Sequence, residues 1–203
     1  MLTEKIPPLA PLYFFGLKIE LKRGKKTKLP DTSDFLGEER FANVLLGWTE
    51  DGLFGEVDVL KPFEEAVYPD YEAGDALELF IDTRDLKEAG FPTKFCHHFL
   101  ILPYEVQGVQ ALELTRFREV EQRPLCDPSQ IKVKTESSRR GYTVKWELPA
   151  AVLYGFDPKA FDRLGMSYSI HRPKQPAQNF AASSQFVSVA QNPSLWASFR
   201  LEI

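Results

Sequence analysis

Cysteine is scarce, with two in 203 residues, Cys96 and Cys126. Cys96 sits in an apolar run and Cys126 in a proline-rich stretch, so a bridge is allowed but not required, and no disulfide framework holds the chain. No CxxC, HxH or HExxH spacing occurs, which removes the common zinc signatures. Gly47, Gly52 and Gly55 read as turn and strand glycines rather than a phosphate loop, and neither Ser137-Ser138 nor Ser183-Ser184 has an adjacent His and Asp pattern. Carboxylates are plentiful, and a glycosidase-type pair is invisible without coordinates. No motif asks for an enzyme.

Long apolar runs are also missing. Leu12 to Leu21 is too short and interrupted to span a membrane. Met1 to Pro11 lacks the basic region and apolar stretch of a signal peptide. The expectation is a soluble, cytoplasmic protein, with an export route that reads no such signal left open. The net charge is −4, so there is no electrostatic footprint for nucleic acid, and no membrane contact is expected. The basic cluster Lys22 to Lys28 is local, and reads as a solvated hairpin or loop or as a contact for an acidic partner.

What the chain does have is aromatic and turn-forming residues. Sixteen Phe, seven Tyr and fifteen Pro in a chain that is 43% hydrophobic favour strands and loops over a helical bundle. Side chains alternate across a strand, so period-2 patterns mark the strands. Tyr13 to Leu21 gives a first strand. Phe41 to Trp48 and Leu53 to Leu60 form a hairpin across an Asp51-Gly52 turn. Phe95 to Leu102 is apolar on both faces apart from His97 and His98, as in a covered central strand. Gln110 to Val120 reads as a strand with a bulge near Arg116, and Asp85 to Ala89 as a single helical turn. Ile131 to Val133 and Tyr142 to Leu148 make a second hairpin. Met166 to His171 is a strand, Pro173 to Phe186 an irregular loop, and Trp196 to Ile203 the closing strand. No repeat or low-complexity linker divides the chain. The expected fold class is all-β: one antiparallel, jelly-roll-like β-sandwich of about ten strands with a few helical turns, preceded by an irregular arm over residues 1–11.

The stretch Gly74 to Asp85 carries carboxylates inside a strand. Leu77, Leu79 and Ile81 point to one face, and Ala76, Glu78, Phe80 and Asp82 to the other. Carboxylates on a partly apolar face cost free energy unless they meet donors or a cation. Glu78 and Asp82 lie about 13 Å apart along a strand and cannot chelate one ion. Asp82 and Asp85 flank a turn and are the pair through which a calcium ion would bind, with Arg84 competing; the plainer expectation is turn capping, with Glu78 bonded to a neighbouring strand. No cofactor is expected apart from a calcium ion at that pair. His97 and His98 face opposite ways and read as buried structural histidines. His171 and Met166 face opposite sides as well, which disfavours a haem.

The order of elements resembles that of family 9 carbohydrate-binding modules and the wider DOMON-like sandwiches. The resemblance rests on Leu46-Gly47-Trp48-Thr49-Glu50-Asp51-Gly52-Leu53-Phe54, on Gly74 to Asp82, on Tyr142 to Pro149 with Leu153, and on Phe161 to Gly165. It spans Phe41 to Ile203 and implies a non-catalytic module that takes a saccharide end or another small polar ligand. Such modules clamp sugar between aromatic rings, because pyranose C–H faces stack on flat apolar surfaces. Trp48 and Trp146 fall in core strands and Trp196 at the start of the last one, so the expected platforms are Tyr68, Tyr71 and Phe180. Arg84, Arg172 and Gln178 complete the expected site as hydrogen-bond donors. The alternative is a stand-alone protein-interaction or structural domain without the sugar site, using the late loop and Lys22–Lys28 as partner surfaces.

Overall fold

The computed structural model describes residues 18–202. The expected arm and the front of the first expected strand, Tyr13 to Leu17, lie outside the described residues. Among the described residues twelve strands follow one another: β1 (Lys18–Lys22), β2 (Thr27–Lys28), β3 (Ala42–Thr49), β4 (Gly52–Val59), β5 (Ala76–Asp82) and β6 (Cys96–Val106). Then come β7 (Val109–Glu113), β8 (Lys132–Ser137), β9 (Tyr142–Pro149), β10 (Arg163–Arg172), β11 (Gln175–Asn179) and β12 (Ala197–Glu202). A four-residue helix α1 (Ser33–Leu36) ends at Gly37, whose φ of 67° suits a glycine at that position.

Two sheets face each other. The first runs β1-β12-β10-β5-β6-β7 with β11 paired to β10, and the second runs β2-β3-β4-β9-β8. The pairings are antiparallel except that of β1 with β12. The core between them is the set that alternation predicts. Leu77, Leu79 and Ile81 of β5, with Phe99 and Ile101 of β6 and Met166 and Ile170 of β10, meet Val44, Leu46, Trp48, Val57, Val144 and Trp146. Each such side chain, fully buried, contributes about 1.5–3 kcal/mol. The β3–β4 turn needs its glycine: Gly52 has φ 143°, and a Cβ there would run into the Leu148 carbonyl.

The outer face of the first sheet is partly covered by two loops. The segment before β5 lays Ala66, Tyr68 and Tyr71 over Ala76, Leu100 and Leu102. The segment before β12 lays Ala182, Val189 and Trp196 over Phe80 and Cys96. Asp75 anchors the first loop by accepting from the amides of Glu64 at 2.8 Å and Glu65 at 3.2 Å and from the Tyr142 hydroxyl at 2.8 Å. Between the two loops a strip of sheet stays accessible.

Several local expectations change. Asp85 to Ala89 forms turns rather than a helical turn, because Asp85 takes φ 52° and breaks the helical path. The strand expected from Gln110 to Val120 stops at Glu113, whose carboxylate is drawn into a buried cluster with Arg123 and Thr115. Pro173 to Phe186 is not wholly irregular: Gln175–Asn179 adds β11 to β10, and Ser169 ties to Asn179 at 2.6 Å. Of the two readings of Lys22 to Lys28, the loop holds and the hairpin does not, since β1 and β2 belong to different sheets and the segment crosses between them.

Candidate functional site

The register of three adjacent strands builds the site. On the outer face, Glu78 of β5 stands opposite Ser169 of β10 and Leu100 of β6. His98 stands opposite Phe80, and His171 opposite Ala76. The two imidazoles are therefore diagonal to Glu78 and reach it from opposite ends, a separation of about 7–8 Å that long side chains cover. The Nε2 of His98 lies 2.7 Å from Oε1 of Glu78, and the Nε2 of His171 lies 2.7 Å from Oε2. The Tyr71 hydroxyl, brought over from the loop before β5, donates to Oε1 at 3.2 Å.

Burial pushes the Glu78 carboxyl up, but the hydrogen bonds from His171 and His98 and the electrostatic pull of both rings outweigh it. The net result holds the group at about 2. Burial, together with the Glu78 charge beside it, pushes the Tyr71 phenol well above its ordinary range, so it stays a donor. Beside the cluster, Phe80 lies 4.8 Å from the His98 ring centroid and stacks on Trp196 at 5.9 Å.

This cluster floors a cleft of about 650 Å³, within the size range of small-molecule sites. Glu78, His98 and His171 keep 6%, 8% and 7% of their surface accessible, enough for each to present an edge to the cleft. Tyr68, Tyr71 and Glu72 line it from one loop, Val187, Ser188 and Gln191 from the other, and Leu114 and Arg116 from the chain after β7. The lining combines the rings of Tyr68 and Tyr71 with hydrogen-bonding side chains from both loops.

The residues named from sequence scatter. Tyr68 and Tyr71 line the cleft. Phe180 is fully buried and stacked on Tyr168 at 5.3 Å, so it offers no face to a ligand. Gln178 is buried and accepts from the Phe41 and Ala42 amides, both at 2.8 Å, which ties β11 to β3. Arg172 donates to Glu64 at 2.6 Å and to the Pro62 carbonyl at 3.0 Å, fastening the loop before β5. Arg84 lies outside the cleft lining, with its guanidinium over the rings of Phe161 at 3.6 Å and Phe95 at 4.7 Å. Four of the six expected ligand contacts are thus structural ties or core.

Asp82 accepts from the amides of Arg84 at 2.9 Å and Leu86 at 2.7 Å, which caps the turn. Asp85 pairs with Lys87 at 2.7 Å and Arg163 at 3.0 Å. Both carboxylates are already engaged, and no cluster of three metal-ligating side chains occurs among the described residues. The two histidines after Cys96 do face opposite ways. His97 and Glu113 lie 2.9 Å apart, Arg123 joins them, and this second buried network ties the segment after β7 to β6. The sequence hides the role of His98, because only the register reveals that His98 and His171 converge on Glu78.

No family model matches the chain, and no curated protein matches it in sequence. Solved structures do match in shape. A family 9 carbohydrate-binding module from Caldicellulosiruptor kristjanssonii in complex with cellotriose superposes with a TM-score of 0.66 at 16% identity, covering 92% of this chain and 94% of that one. The module in complex with glucose gives 0.65 at 15% identity, covering 92% and 96%. At such identities the likeness is one of architecture, and the chain has the β-sandwich fold of the family 9 carbohydrate-binding modules.

Proposed function

We propose that the protein is a non-catalytic binding module whose cleft takes a saccharide end or a similar small polar molecule. The observation that carries this reading is the floor of the cleft, where an ionised Glu78 is held by two imidazoles and a phenol beneath a 650 Å³ opening. Fixed hydrogen-bonding groups on rigid strands suit recognition of hydroxyls, since little ordering is needed on binding. The shared fold with sugar-bound modules supports the same reading. A glycosidase needs a carboxylic acid with a raised pKa to protonate a leaving group. Glu78, held at about 2, is not that acid.

A thermal-shift screen against soluble mono- and oligosaccharides at millimolar concentration tests the reading. A ligand that binds only the folded state raises the melting temperature, and a subset of sugars is expected to do so. A flat panel contradicts it. The competing reading, a protein-interaction domain, draws on the neighbouring Phe186 and Val187, which are 46% and 36% exposed on the loop beside the cleft. A flat sugar panel favours that reading.

A further inference from the structure

Glu78 keeps one acceptor place for a ligand, on Oε2, because Oε1 already accepts from His98 and Tyr71 and Oε2 from His171. The Ser169 hydroxyl is taken up by Asn179. What the cleft leaves uncommitted is rich in donors. Among the described residues, the side chains of Arg116, Ser184, Ser188 and Gln191 line it without a hydrogen bond or ion pair to the protein. Arg116 and Glu72 both act electrostatically on the Tyr71 phenol, yet no ion pair joins them. A guanidinium in the lining of a cleft, with no carboxylate partner among the described residues, is suited to a planar anion, which it can grip with two parallel N–H donors.

We propose that the saccharide is an acidic one, a uronic acid end, with its carboxylate on Arg116 and its ring against Tyr71. The proposal rests on the saccharide reading above. Ser184, Ser188 and Gln191 serve the ring hydroxyls from the other loop. Glu72 opposes the ligand's charge and supplies a second lever of opposite sign.

Calorimetric titration of glucuronate and of glucose into the full chain, Arg116→Gln and Glu72→Gln tests this. Both side chains are exposed, so each variant should keep the parental melting temperature, which is checked first. The parent is expected to bind glucuronate about tenfold tighter than glucose, the gain of one partly exposed charge-assisted contact. Arg116→Gln should erase that preference, bringing glucuronate to the affinity the same variant has for glucose. Glu72→Gln should raise the ratio of glucuronate to glucose affinity above that of the parent. Equal or tighter glucose binding in the parent, with the ratio unmoved in Arg116→Gln, overturns the acidic-sugar assignment while the saccharide reading stands. Binding of neither sugar overturns the acidic-sugar assignment, and only a flat saccharide panel beside it overturns both.

Discussion

His171 Nε2 lies 2.7 Å from Glu78 Oε2, although the two residues are 93 positions apart in the chain. The contact crosses from β10 to β5, and its counterpart from His98 crosses from β6. One carboxylate thus joins three strands on the outer face of the sheet, opposite the core. A buried carboxylate without donors would cost several kcal/mol, so the histidines are the condition on which Glu78 can sit there at all. Removing any one of the three strands' contributions leaves polar groups short of partners.

Replacing Glu78 by Gln keeps the shape but removes the charge and turns one acceptor oxygen into a donor facing an imidazole N–H. The expected cost is about 1–3 kcal/mol, read as a lower urea midpoint with an unchanged slope. Sugar-induced stabilisation should vanish along with it. An unchanged midpoint would show that the carboxylate is not held as described.

Acid should weaken the fold over a defined window. Glu78 and Glu113 are both held at about 2, below the ordinary 4.5; burial opposes this in each case and the histidine hydrogen bonds win. A carboxyl depressed in the folded state adds stability that is present above pH 4.5 and is lost as pH falls from there toward 2. For Glu78, whose side chain is 8% exposed, the amount is on the order of 3 kcal/mol, at about 1.4 kcal/mol per unit. Burial lowers the His97 pKa from 6.5, which has the same sign and begins the loss somewhat higher. Urea unfolding from pH 7 to pH 3 should show a steep decline, and Glu78→Gln should flatten it.

The residues named from sequence should separate by their effects. Phe180→Ala removes a fully buried ring and should cost about 3–5 kcal/mol. Gln178→Ala strands two buried backbone amides and should cost about 1–3 kcal/mol. Tyr71→Ala, at a half-buried position on the cleft wall, should abolish sugar binding at much smaller cost to the melting temperature. Thermal and calorimetric measurement of the three variants checks the division. Equal destabilisation by all three would return Tyr71 to the core.

Calcium should not matter. The Asp82 carboxylate is filled by the Arg84 and Leu86 amides, and Asp85 by Lys87 and Arg163. Melting curves with millimolar calcium and with chelator should coincide. A rise with calcium that Asp85→Asn removes would show a site that these pairings conceal.

Legibility in the sequence followed the range of the physics. Alternation is local, so the split of β5 into Leu77, Leu79 and Ile81 against Glu78, Phe80 and Asp82 could be read directly and recurs in the structure. The β3–β4 turn was equally local, because Asp51-Gly52 specifies it. The site is not local. Glu78, His98 and His171 come from three separate stretches, and only strand register places them together. Arg172 and Gln178 looked like ligand donors because sequence shows a polar group but not its partner. The partners are the Glu64 carboxylate and backbone groups of Pro62, Phe41 and Ala42, far away in the chain. Phe180 failed as a platform for a related reason: β11 continues β10 and carries the ring into the core.

The most direct test of the cleft is a calorimetric titration of a sugar that raises the melting temperature, run side by side on the parent chain and Tyr71→Ala. The account predicts saturable binding by the parent and none by the variant, with both proteins folded at the temperature used. Equal affinity in the two proteins would place the sugar elsewhere and contradict the assignment.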